Sequence, residues 1–77
     1  MKTLNELDTV VLTRDLPEHD LKQGDVGAIV HVYGEAAAYE VEFVSGAGNT
    51  VAVLTLEPDV LRLMRRSEVL HAREYAA

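Results

Sequence analysis

The stretch Leu21-Lys22-Gln23-Gly24-Asp25-Val26-Gly27-Ala28-Ile29-Val30-His31-Val32-Tyr33 constrains the fold more than any other part of this chain. A polar loop ends in Gly-Asp-x-Gly and passes directly into a run of β-branched residues. Branching at Cβ restricts χ1 and favours extended backbone, so the run reads as a strand from 25 to 33. Gly27, inside that strand, marks an expected bend or bulge. By strand periodicity Val26, Ala28, Val30 and Val32 share one face, and Gly27, Ile29, His31 and Tyr33 the other. Both faces carry apolar residues, as a long strand requires when it bends between two halves of a curled sheet.

Around it the pattern is one of short strands and turns. Thr9-Val10-Val11-Leu12-Thr13 is a first strand, led in by a turn over residues 5–8. The polar loop at 14–24 is punctuated by Pro17 and Gly24, and its isolated Leu16 and Leu21 are expected to tuck underneath as anchors. Tyr39-Glu40-Val41-Glu42-Phe43-Val44 alternates cleanly, with Tyr39, Val41 and Phe43 inward and the glutamates outward. Ser45-Gly46-Ala47-Gly48-Asn49 is a hairpin turn, rich in residues that tolerate positive φ. It returns into Thr50-Val51-Ala52-Val53-Leu54-Thr55-Leu56. Pairing Val44 with Thr50, Phe43 with Val51 and Val41 with Val53 turns Leu54 and Leu56 outward, beside Glu40, Glu42, Val44 and Ala52. Residues 57–60 form a 3₁₀ turn and 61–64 a short fifth strand. From 65 to 77 the chain is a tail, either a helix capped by Ser67 or an extended segment along a sheet edge.

These motifs resemble SH3-like and KOW-like β-barrels. More closely, Asp8-x-Val10-Val11-Leu12-Thr13, Asp15-Leu16-Pro17-Glu18, Leu21-Lys22-x-Gly24-Asp25-Val26-Gly27 and Tyr39-Glu40-Val41-Glu42-Phe43 are similar to a short bacterial family known only as a domain of unknown function. The likeness runs from about Leu4 to Leu63. It implies an all-β fold, a small five-stranded SH3-like barrel over residues 1–64 with a 3₁₀ turn before the last strand. It implies no catalytic residues, and such barrels serve many unrelated tasks.

Size and charge narrow the task. With 77 residues the chain makes one domain, near the lower limit for burying its own core. Thirteen acidic against seven basic residues give a formal charge of −6, which repels phosphate backbones and attracts cationic partners. There is no cysteine, hence no disulfide, thiolate or Cys-ligated zinc. Glu6 and Asp8 interrupt residues 1–8 as a signal peptide, and no run approaches the ~20 apolar residues of a membrane helix. A cytoplasmic, non-membrane protein is expected.

Candidate site residues follow from these limits. Asp15, Glu18 and Asp20, with His19, form an acidic loop suited to a cationic partner; their spacing is not that of an EF-hand. His19, His31 and His71 show no metal-ligand spacing. Ser45-Gly46-Ala47-Gly48-Asn49 lacks the lysine of a phosphate loop, and neither Ser45 nor Ser67 has an identifiable His–acid partner. Arg62, Arg65 and Arg66 form a basic cluster that a KOW-like nucleic-acid binder would use, against the overall charge. The expected function is therefore a non-enzymatic acidic protein-interaction module or small accessory subunit, without cofactor. Asp15, Glu18, Asp20, Glu40 and Glu42 would steer a basic partner, and Leu54 and Leu56 would be buried by it, by a second copy or by the tail through Val69 and Leu70. A barrel subunit completing a larger enzyme is a further alternative.

Overall fold

A computed structural model describes residues 4–75. The strands are β1 (Thr9–Leu12), β2 (Val26–Tyr33), β3 (Ala38–Val44), β4 (Thr50–Leu56) and β5 (Leu61–Leu63). Two 3₁₀ turns accompany them, Pro17–His19 in the polar loop and Pro58–Val60 before β5. All pairings are antiparallel, and the strands form one sheet in the order β4-β3-β2-β1-β5. Among the described residues there is no α-helix, and hence none long and apolar enough to cross a membrane.

The centre of the inner face is buried although, among the described residues, no α-helix covers it. Val10, Ile29 and Val41 have no solvent exposure, and Leu12, Tyr39 and Phe43 almost none. Leu4, Leu21 and Val60 cover them from the connecting segments. Leu54 and Leu56 of β4 and Leu63 of β5 pack against this same cluster, although their strands lie at opposite ends of the sheet order. One sheet whose two end strands share a core is curled.

Two bulges set that curl. Ile29 pairs with Val41 but His31 with Glu40, leaving Val30 as the extra residue of β2. Phe43 pairs with Ala52 but Val44 with Thr50, leaving Val51 as the extra residue of β4. A bulge adds local twist and changes which residues face inward. The bulge in β2 thus sits at Val30 and not at the expected Gly27. Gly27 has a different reason to be glycine: a Cβ there would lie 2.7 Å from Val41 Cγ1, 2.9 Å from Phe43 Cε1 and 3.0 Å from the Glu42 carbonyl oxygen. β3 crosses too closely for any side chain.

The second bulge corrects the expected β3–β4 register. Val44 does oppose Thr50, but Val41 opposes Leu54, Tyr39 opposes Leu56 and Glu42 opposes Val53. Residues directly opposite share a face, so Leu54, Leu56 and Ala52 turn inward, and Val53 and Thr55 outward. Strict alternation from the hairpin could not show one extra residue in β4. The register has a direct check in urea unfolding. Leu54→Ala is expected to cost about 1.5 kcal/mol and Val53→Ala less than about 0.5 kcal/mol; the reverse order would restore the unbulged pairing.

The loops are ordered by their own hydrogen bonds. Leu16 and Leu21 bridge each other, Leu16 N donating to the Leu21 carbonyl at 2.8 Å and Leu21 N to that of Leu16 at 3.2 Å, as anchor residues should. The hairpin at 45–49 closes through Ser45 N to the Asn49 carbonyl at 2.8 Å, with Gly48 at φ +86°.

Candidate functional site

The outer face of β2, β3 and β4 gathers the chemically distinctive surface. His31 and Tyr33 of β2 stand opposite Glu40 and Ala38 of β3, and Glu42 stands opposite Val53 of β4. Each glutamate is held by a neighbouring hydroxyl: Tyr33 Oη donates to Glu40 Oε1 at 2.5 Å, and Thr50 Oγ1 to Glu42 Oε2 at 2.5 Å. Glu40 raises the phenol pKa of Tyr33, chiefly by accepting that hydrogen bond. Carboxylates so held keep a fixed position, with less side-chain entropy left to lose when a cation docks. Around them Val44, Val53 and Tyr33 are apolar and 56, 48 and 38% exposed. The face is a row of carboxylates flanked by apolar side chains. Leu54 and Leu56 lie half-buried on its reverse side, so the structure does not bring them together with Glu40 and Glu42.

β4 is also the outermost strand of its side of the sheet. Its sequence, Thr-Val-Ala-Val-Leu-Thr-Leu, carries no charge and no proline, the usual protections of an edge against pairing with another chain.

The acidic loop behaves differently from a free cluster of carboxylates. Asp15 Oδ1 accepts the Gln23 amide at 2.8 Å, Glu18 lies exposed in the first 3₁₀ turn, and Asp20 closes that turn at φ 55°. Among the described residues no group of three or more His, Asp or Glu side chains is arranged to hold a metal ion. His31 lies 3.8 Å from Glu6, and His71 joins a separate cluster.

That cluster is centred on Asp25, which sequence reasoning treated only as the first residue of the second strand. Its carboxylate is buried, with 8% of the residue exposed. Oδ2 accepts the Lys22 amide at 2.8 Å and Arg73 Nη2 at 2.6 Å. Oδ1 accepts Arg73 Nε at 2.9 Å and the His71 ring nitrogen Nε2 at 2.8 Å. Burial pushes the Asp25 carboxyl upward, but Arg73, the Lys22 amide and His71 outweigh it and bring the pKa from 3.8 to about 2. A carboxylate set between the two glycines of Gly24-Asp25-Val26-Gly27, at the entry to a buried strand, was the one available signal.

The tail, expected as a helix or an extended segment along a sheet edge, forms neither helix nor strand over residues 64–75 and is fastened by two clasps of opposite polarity. At its start Arg62 of β5 pairs with Glu68 through both terminal guanidinium nitrogens, Nη1 at 2.8 Å and Nη2 at 2.7 Å, and Glu68 also accepts the Arg65 amide at 2.6 Å. These donors, Arg62 first, lower the Glu68 pKa to about 2. At its end Arg73 and His71 pair with Asp25, and the Tyr75 hydroxyl donates to the His19 carbonyl at 3.1 Å. Val69 and Leu70 remain 90 and 67% exposed and do not cover Leu54 and Leu56, while Tyr75 packs against the core cluster. Arg62 is thereby engaged, and of the basic cluster Arg65 and Arg66 stay exposed.

A family model described as Domain of unknown function (DUF4926) matches residues 6–63, from the turn ahead of β1 to the end of β5. No curated protein and no solved structure matches the chain.

Proposed function

This chain belongs to the DUF4926 family, and we propose that it is an acidic protein-interaction module or small accessory subunit with no catalytic chemistry of its own. The observation that carries this reading is the outer face of β2–β4, where two positioned carboxylates sit among exposed Tyr33, Val44 and Val53. Fixed carboxylates with apolar flanks suit a partner that brings cationic side chains and then excludes water. A formal charge of −6 steers such a partner and turns away nucleic acid. Asp15, Glu18 and Asp20 add to the steering field from the loop, while Leu54 and Leu56 support the face from beneath. The uncharged β4 edge offers the partner a strand to pair with.

An SH3-like barrel is part of the same reading. The strand order β4-β3-β2-β1-β5, the two bulges and a core shared by β4 and β5 are what support it.

The test is affinity capture with the immobilised chain from an extract of its own cell. At low salt it is expected to retain a basic protein and to release it by about 0.5 M salt, where the screening length falls to a few ångströms. The double variant Glu40→Lys/Glu42→Lys is expected to retain none of it. Retention that survives both the salt and the charge reversal overturns the proposal, and so does an empty wild-type column.

A further inference from the structure

The clasp at Asp25 has the form of a recognition site whose ligand is part of the same chain. Asp25 is positioned by the sheet and its own turn, without help from the tail. Leu12 N donates to its carbonyl at 2.9 Å, its amide donates to the Lys22 carbonyl at 2.9 Å, and the Lys22 amide holds the carboxylate. Arg73 meets that carboxylate as a two-pronged fork and extends Nη2 to the Asp20 carbonyl at 2.9 Å. Such planar, bidentate pairing selects arginine over lysine. Tyr75, two residues on, reaches the His19 carbonyl, so one extended stretch of tail reads three points of the 19–25 turn.

Two further observations bear on what this stretch is for. The family match ends at residue 63; it contains Asp25 and excludes His71, Arg73 and Tyr75. The tail also leaves a groove of about 740 Å³ beneath it, walled by Leu21, Phe43 and Val51 on one side and Leu70, Arg73 and Tyr75 on the other. An apolar segment evolved only to cover the core would fill that space, whereas Val69 stays 90% exposed and Leu70, at the groove's rim, 67%. The tail is held by polar contacts at both ends and by Tyr75, which packs against the core cluster, with Val69 and Leu70 between them exposed.

We propose that the Asp25 turn is a docking site for an extended, arginine-bearing segment of a partner protein, and that residues 71–75 are its built-in competitor. This rests on reading the chain as an interaction module but uses a surface separate from Glu40 and Glu42. A tethered competitor lowers the apparent affinity for an outside segment by the fraction of time the site is open. The partner thus has to displace the tail, which gives the site a threshold.

The probe is a synthetic fluorescent peptide, Val-Leu-His-Ala-Arg-Glu-Tyr, copied from residues 69–75, titrated into the full chain. Arg73→Ala in the chain is expected to bind it at least about tenfold more tightly than wild type, because its own tail no longer competes. The same peptide with lysine in place of arginine is expected to lose most of that affinity. In the wild-type chain, saturating peptide is expected to move the amide signals of residues 71–75 to free-chain positions, a readout that does not depend on the variant folding. Equal affinity for the two chains, no binding to either, or lysine serving as well as arginine overturns the proposal. Should the peptide fail while Glu40→Lys/Glu42→Lys still abolishes capture, the docking site falls and the outer-face reading stands.

Discussion

Gly27→Ala is expected to destabilise the protein by about 3 kcal/mol, the largest effect of any single-methyl change in the sheet. Two terms oppose each other. Alanine restricts the unfolded chain more than glycine and so stabilises a compatible strand position by about 0.5–1 kcal/mol. Against this, the new Cβ would stand 2.7 Å from Val41, 2.9 Å from Phe43 and 3.0 Å from the Glu42 carbonyl oxygen. Two of those neighbours are fully or almost fully buried core side chains and the third is backbone in the adjacent strand, so none can move cheaply. Steric overlap wins. Urea unfolding monitored by circular dichroism measures it: a midpoint equal to or above wild type would mean that β2 and β3 do not approach as described. Gly46, with open space around it and no positive φ, is the matching control, and Gly46→Ala should leave the midpoint nearly unchanged.

Acid is expected to undo the tail before it undoes the sheet. The Asp25 carboxyl titrates near 2 in the folded protein against 3.8 ordinarily, so at intermediate pH the unfolded or tail-released state binds more protons. Its contribution is complete above pH 3.8 and drains as pH falls towards 2, on the order of 2 kcal/mol in all. Glu68, lowered to about 2 by Arg62 and the Arg65 amide, loosens the other clasp over the same range. The amide signals of residues 68–75 should therefore approach free-chain values between pH 4 and pH 2, ahead of those of β2 and β3. In Asp25→Asn, which keeps the shape and removes the charge, the end of the tail should be released already at neutral pH. A tail that stays fastened in Asp25→Asn, or that loosens only together with the sheet, would show that Asp25 is not what holds it.

The strands were legible in the sequence because their signals are local. Tyr39-Glu40-Val41-Glu42-Phe43 states its own two faces, and Tyr39, Val41 and Phe43 are indeed all buried. β4 spans Thr50–Leu56 as read, and the turn at 45–49 uses the residues that tolerate its backbone. The faces of β4 were not legible. Its extra residue at Val51 arises from how a curled sheet fits over Leu12, Ile29 and Val41, and a periodicity of two carries no mark of it. With the pairing moved by one place, Leu54 and Leu56 passed from the supposed contact surface to the core side, and Val53 took their place.

The same division holds for charge. Composition alone determined a surplus of carboxylates, a formal charge of −6 and the absence of cysteine, since these are sums over residues that need no coordinates. Which carboxylate matters most was decided in three dimensions. Asp25 meets His71 and Arg73 from 46 and 48 positions away, and nothing in the intervening segments announces the meeting. Neighbouring residues dictate strand, turn and facing because steric preference acts over one or two peptide units. Register and ion pairing are settled only when distant segments compete for one small interior and its rim.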